Sequence, residues 1–196
     1  MKMTILRLCA VSIVLLSFMG CNSDPPTTPN DSVYAQAPRI MGFLITDEQA
    51  VELRAWGTPD WRQGSREDIF LYPPYPSPCS RSTSIAFWND DTVTVSIWLV
   101  RGFGPGESEE DIYAEPYPGS PVANPHKPIV IVQDRVFPPT VHEVYWDGRD
   151  NDGFIAPGGF YRIYCRTERG LYWVDVYDLY PHTREEIRDI WDFQPY

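Results

Sequence analysis

The sequence predicts an all-β chain, an antiparallel β-sandwich, and three observations carry that expectation. Val93, Val95, Ile97 and Leu99 alternate with Thr92, Thr94, Ser96 and Trp98, the period of two that a half-buried strand imposes. Roughly six or seven short stretches of this kind recur without an intervening long helical pattern, as a sandwich requires. The stretch Val144-Tyr145-Trp146-Asp147-Gly148-Arg149-Asp150-Asn151-Asp152-Gly153, followed by Pro157-Gly158-Gly159-Phe160-Tyr161, reads as strand, polar turn, strand. Its Asp, Asn and Gly residues belong in a reversal: short polar side chains bond their own backbone, and glycine accepts positive φ.

Composition sets the limits. The 196 residues are 43% hydrophobic and 14% aromatic, enough for one packed domain with appendages, and 20 prolines with 13 glycines imply many turns. The formal charge is −11, and the single lysine after residue 20 is Lys127. Such a surface repels phosphate backbones, so nucleic acid is excluded as a partner class.

In chain order, residues 1–20 have the form of a lipoprotein signal peptide. A basic start at Lys2 and Arg7 precedes an apolar run from Leu8 to Phe18 that is too short to span a bilayer. Phe18-Met19-Gly20-Cys21 resembles a bacterial lipobox with Phe18 where leucine is usual, which makes Cys21 the lipidated N-terminus and the membrane a partner. The alternative is an ordinary secretory cut. Residues 21–39 are polar and proline-rich, a disordered tether that cannot repay the entropy of folding. Asn22 is not the aspartate that favours inner-membrane retention in lipoproteins of some bacteria, so the expected address is the cell envelope, at the outer membrane.

Residues 40–69 form a prelude. Ile40 to Ile45 reads as a short strand; Thr46-Asp47-Glu48-Gln49 reads as a capping box opening a brief helix with Val51, Leu53 and Trp56 on one face and Gly57 at its end. Residues 70–178 hold the sandwich. Phe70 to Pro78 is a proline-rich edge lead-in, because proline has no N–H to give a ladder. Thr83 to Trp88 turns Ile85 and Phe87 inward; Ile129 to Val132 and Val141 to Trp146 follow, the latter with Val144 and Trp146 on one face. Gly159 to Thr167 and Leu171 to Tyr177 make a hairpin around Glu168-Arg169-Gly170, with Tyr161, Ile163 and Cys165 facing Tyr172, Val174 and Val176. Residues 179–196 contain a second capping box at Thr183 to Glu186, and Ile187, Ile190 and Trp191 share one face of a short helix that packs on its own domain or on a partner.

Several side chains are candidates for sites. Cys79 and Cys165 are an even pair in a disulfide-permissive compartment and are either bridged or two buried thiols. Asp147, Asp150 and Asp152 are a weak calcium candidate; the first ligand position of an EF-hand count falls on Gly148, and turn capping accounts for the acids without metal. His126, His142 and His182 have no ligand spacing, and no nucleophile elbow, phosphate loop or zinc signature occurs, so neither a cofactor nor an enzyme is expected. In the long connection from Gly102 to Pro128, Glu107, Glu109, Glu110, Asp111, Tyr113, Glu115 and Tyr117 interleave acids with tyrosines, either a binding surface or a solvated excursion.

Taken together, Leu71-Tyr72-Pro73-Pro74-Tyr75-Pro76-Ser77-Pro78, Thr83-Ser84-Ile85, Val93 to Ile97, Trp146 to Gly153 and Pro157 to Tyr161 resemble, in that order, the FlgD-like immunoglobulin-fold domain. That module occurs in the flagellar hook-capping protein and, in related form, as the C-terminal sorting domain of type IX secretion. The resemblance covers Phe70 to about Tyr177 and implies a seven-stranded immunoglobulin-like sandwich, non-catalytic, serving assembly, adhesion or export. The connection 102–128 is longer than the family's hairpin, and residues 179–196 are acidic where sorting domains end in a basic tail. The expected function is a lipid-anchored module that binds or scaffolds another envelope component, with a protein as the expected partner. The alternatives are a sorting or assembly domain read by a secretion or flagellar-type machine, and a carbohydrate-binding sandwich using Trp61, Trp88 or Trp98.

Overall fold

The computed structural model describes residues 37–64, 69–108, 110 and 127–180. Among the described residues nine strands follow one another: β1 (Gly42–Thr46), β2 (Glu52–Gly57), β3 (Ile69–Leu71), β4 (Thr83–Asn89), β5 (Val93–Arg101), β6 (Ile129–Phe137), β7 (Thr140–Trp146), β8 (Gly159–Arg166) and β9 (Leu171–Asp178). Two antiparallel sheets, ordered β3-β4-β7 and β6-β5-β8-β9, carry seven strands, and β1-β2 is a separate hairpin. Together they form an antiparallel β-sandwich. Among the described residues no helix is long and apolar enough to cross a membrane.

Alternation produces the core. Ile69 and Leu71 of β3, Ile85 and Phe87 of β4, and Trp146 of β7 meet Val95, Ile97 and Leu99 of β5 in one cluster. Tyr161, Ile163 and Cys165 of β8 join it with Val174 and Val176 of β9. Each such side chain adds about 1.5–3 kcal/mol of burial, so the inward positions dominate the stability of the domain. Trp146 is 1% exposed, and its indole N–H donates to the Arg149 carbonyl at 3.0 Å, which ties the core to the turn after β7. Across the core, the Tyr161 hydroxyl donates to the Pro157 carbonyl four residues upstream, the tyrosine corner of immunoglobulin-like sandwiches.

The turn after β7 is built as its composition requires. Asp147 accepts from the Arg149 N–H, and Asp150 accepts from the N–H groups of Asp152 and Phe154. Asn151 reaches over to β6, accepting from the Val130 N–H and donating to the Pro128 carbonyl. Gly148 has φ +74°, and a Cβ there would overlap the Arg81 carbonyl oxygen, so backbone freedom and close approach both demand glycine.

The prelude differs from expectation. Leu53 and Trp56 lie on β2 of a hairpin and Val51 in the turn just before it, not on a helix. Gln49 and Val51 donate their N–H groups to the Asp47 carboxylate, which closes the hairpin turn, while the Thr46 hydroxyl donates to the Pro74 carbonyl. The hairpin packs Phe43 and Trp56 on Phe160 and Tyr177, side chains on the outer face of the larger sheet. Ordered pairing begins inside the expected tether, where Pro38 and Ile40 bond the backbone of Phe103. Strand β6 also runs on past Val132 to Phe137; Asp134, at φ 43°, marks an irregularity whose carboxylate accepts from the Ser96 hydroxyl at 2.7 Å. The expected signal peptide and the C-terminal helix lie outside the described residues.

Candidate functional site

Turning one side chain inward turns the next one out, so the core positions of β3, β4 and β7 determine a second, outward set. The register arranges it in rows across the sheet. Phe70 lies opposite Trp88, which lies opposite Val141. In the next row the Tyr72 N–H bonds the Ala86 carbonyl, and Ala86 pairs with Glu143. In the third, Tyr75 pairs with Ser84, and Ser84 with Tyr145. Rings and branched side chains suit a pleated surface and pack across strands, which stabilises the sheet while leaving their upper edges open.

This face is accessible. Tyr145 is 61% exposed and Val141 55%, whereas Phe70, Tyr72, Tyr75 and Trp88 are half-buried. Phe70 and Tyr72 meet edge to face with ring centres 5.0 Å apart, so these rings hold one another in place. Glu143 is the charged residue of the three rows. The Tyr75 hydroxyl is held above the ordinary phenol value by burial, then by its hydrogen bond to the Glu143 carboxylate and by that charge. The arrangement can stack against a flat apolar face and exchange hydrogen bonds at its polar points.

The other candidates fall elsewhere. Cys79 and Cys165 are not bridged: both thiols are buried, and burial pushes Cys165 up to about 12, far from a reactive thiolate. Asp147 and Asp150 spend carboxylate oxygens on the turn, and Asp152 pairs with Lys127 at 2.8 Å. Among the described residues no group of three or more His, Cys, Asp or Glu side chains is placed to hold a metal. Glu107 accepts from the Gly104 N–H and Glu110 is exposed; Glu109, Asp111, Tyr113, Glu115, Tyr117 and Cys21 lie outside the described residues, as do His126 and His182. His142 packs against Phe87 and Phe137, with Nε2 2.7 Å from the Pro138 carbonyl. Of the three tryptophans named as sugar platforms, Trp98 is 1% exposed and stacked on Tyr164, so it is unavailable. Trp61 is exposed but lies off the sheet face, and Trp88 stands in the first row.

The perturbed acids serve the fold. Asp175 receives two bonds from Arg162, at 2.7 and 2.9 Å, yet burial outweighs them and holds its carboxyl up at about 6. The cavity beside it, lined by Phe43, Trp61, Pro74 and Asp175 among others, measures about 10 Å³, room for one water. Asp178 is raised to about 6 by burial as well, against the pull of the Arg81 and Tyr180 N–H groups. A shallow groove of about 270 Å³ between β5, β6 and β8 is lined by Ser96, Asp134, Arg166 and Glu168 and is open to solvent.

Sequence reasoning missed the aromatic face as a unit. Its members are spread over three strands, and only the register assembles them; the available signal was the outward phase of each strand whose inward phase was legible. No family model, no curated protein and no solved structure matches the chain.

Proposed function

We propose that this chain is a non-catalytic binding module of the cell envelope. In this reading it is an FlgD-like immunoglobulin sandwich, anchored at the outer membrane through lipidated Cys21, that holds another envelope component on the outer face of β3, β4 and β7. The observation that carries the reading is that face: rings from three strands, with Tyr145 61% exposed, set on a rigid scaffold. An apolar surface rimmed by polar residues is what a contact site looks like on a soluble domain. The buried ionisable groups support the non-catalytic part, because Asp175 and Asp178 are committed to Arg162 and to backbone N–H groups.

Photo-crosslinking in the native envelope tests it. A photoreactive side chain at Tyr145 is expected to give a discrete adduct, and one at Val136, equally exposed at 61% on the far sheet, is expected to give none. Equal labelling from both positions, or none from Tyr145, would remove the sheet face from the account. Palmitate labelling tests the anchor separately: label must appear on the wild type and vanish in Cys21→Ala.

A further inference from the structure

We infer that the outer face of β3, β4 and β7 takes a neutral polysaccharide; this rests on the binding-module reading and names its ligand class. Three features of the face select a sugar chain over other ligands. The first is its alternation of ring and polar group. The rows Phe70-Trp88-Val141, Tyr72-Ala86-Glu143 and Tyr75-Ser84-Tyr145 place hydroxyls and one carboxylate among the rings. A pyranose ring presents C–H bonds on one face and hydroxyls around its edge, so it meets the electron-rich faces of aromatic rings while its hydroxyls bond to the groups between them.

The second feature is charge. Glu143 is the charged member of the rows, and no Lys, Arg or His accompanies it there. With no cation in the rows to answer the Glu143 carboxylate, in a chain of formal charge −11, the face disfavours uronates, phosphates and acidic lipids but can accept hydrogen bonds from neutral hydroxyls.

The third feature separates a glycan from a protein. Interface cores that bind proteins lose Glu, Ser and Ala and seat anchors in pockets. Here Ala86 stands at the centre of the face, with Ser84 next to it on β4 and Glu143 next to it on the edge strand β7. Sheet geometry spaces neighbouring strands by about 4.8 Å and same-face neighbours along a strand by about 7 Å, an open grid on which successive sugar rings can lie side by side.

Affinity electrophoresis of the full chain tests the inference, with hydroxyethyl cellulose, galactomannan and dextran as neutral probes and polygalacturonate as the anionic one. Retardation is expected in at least one neutral gel and not in polygalacturonate. Tyr145→Ala and Trp88→Ala should each weaken it about 2- to 10-fold, the worth of one ring contact. Tyr145→Trp should keep it, and Val136→Ala should leave it unchanged. Tyr145 is exposed, so its substitutions test the face even if Trp88→Ala disturbs the fold. Migration unaffected by every neutral gel, retardation undiminished in Tyr145→Ala, or binding confined to polygalacturonate would overturn the inference. Unaffected migration together with a specific protein adduct from position 145 would remove the sugar and leave the binding module; loss of both would remove the two together.

Discussion

Replacing Asp178 with asparagine should make the domain more stable at neutral pH. Asp178 ends β9 and is 1% exposed. Its Oδ1 accepts from the N–H groups of Arg81 and Tyr180, at 3.1 and 3.2 Å, and its buried Oδ2 has no hydrogen-bond partner among the described residues. Burial raises the carboxyl to about 6; those two N–H groups and the charges of Arg101 and Arg81 only partly offset it. In the unfolded chain the same carboxyl titrates near ~3.9. The folded state therefore holds the proton more tightly, so the stabilisation from protonated Asp178 is complete below about pH 4 and is lost as pH rises through about 6. Each tenfold change in proton affinity is worth about 1.4 kcal/mol, which puts the cost of ionising Asp178 in the folded protein at about 2–3 kcal/mol. Asparagine keeps the Oδ1 acceptor and cannot ionise. In urea titrations from pH 4 to pH 8, Asp178→Asn should exceed the wild type by roughly 2 kcal/mol at pH 7 and converge with it near pH 4. A variant less stable than the wild type at pH 7, or a gap independent of pH, would refute the reasoning.

Other outcomes follow from the same coordinates. Asp175→Ala removes both short bonds to the Arg162 guanidinium, which is 10% exposed and keeps only the more exposed Asp60 carboxylate at 3.7 Å, and should cost up to about 3 kcal/mol in denaturant titration, whereas Arg162→Met with Asp175→Leu should recover most of that loss. Gly148→Ala forces alanine to φ +74° against the Arg81 carbonyl and should cost roughly 2 kcal/mol or more, read as a lowered Tm. Cys79 and Cys165 should resist a thiol reagent in the native protein and both react in denaturant without reductant, by mass spectrometry; a bridged pair would stay unlabelled until reduced.

The strands of the sandwich were legible because their chemistry is periodic. Val93 to Leu99, Gly159 to Thr167 and Leu171 to Tyr177 each set aliphatics and rings at every second position, and those side chains are the ones found in the core. Val51, Leu53 and Trp56 misled because so short a set fits either period, and because an aspartate that caps a hairpin turn uses the same N–H bonds that would cap a helix. The polar run Gln133 to Arg135 hid the second half of β6, whose pairing with β5 and whose Asp134–Ser96 bonds are long-range facts. Trp98 was assigned correctly to the face away from the core, but its burial depends on Tyr164 and Val100 beside it, which no local pattern encodes. The candidate site was legible only in part, as single residues: Trp88 and Tyr145 are 57 positions apart, and their common face follows from the register of β4 on β7.

The most direct test of the central claim is a nuclear magnetic resonance titration of the full chain with a retarding neutral polysaccharide. The chain has seven tryptophans, and Trp88 stands on the face. Its indole signal should move together with the backbone amides of Tyr72, Ser84 and Tyr145, while the indole of buried Trp98 and the amides of β6 stay fixed. Shifts centred on β6, on the turn after β7 or on the β1-β2 hairpin, with Trp88 and Tyr145 unmoved, would contradict the account.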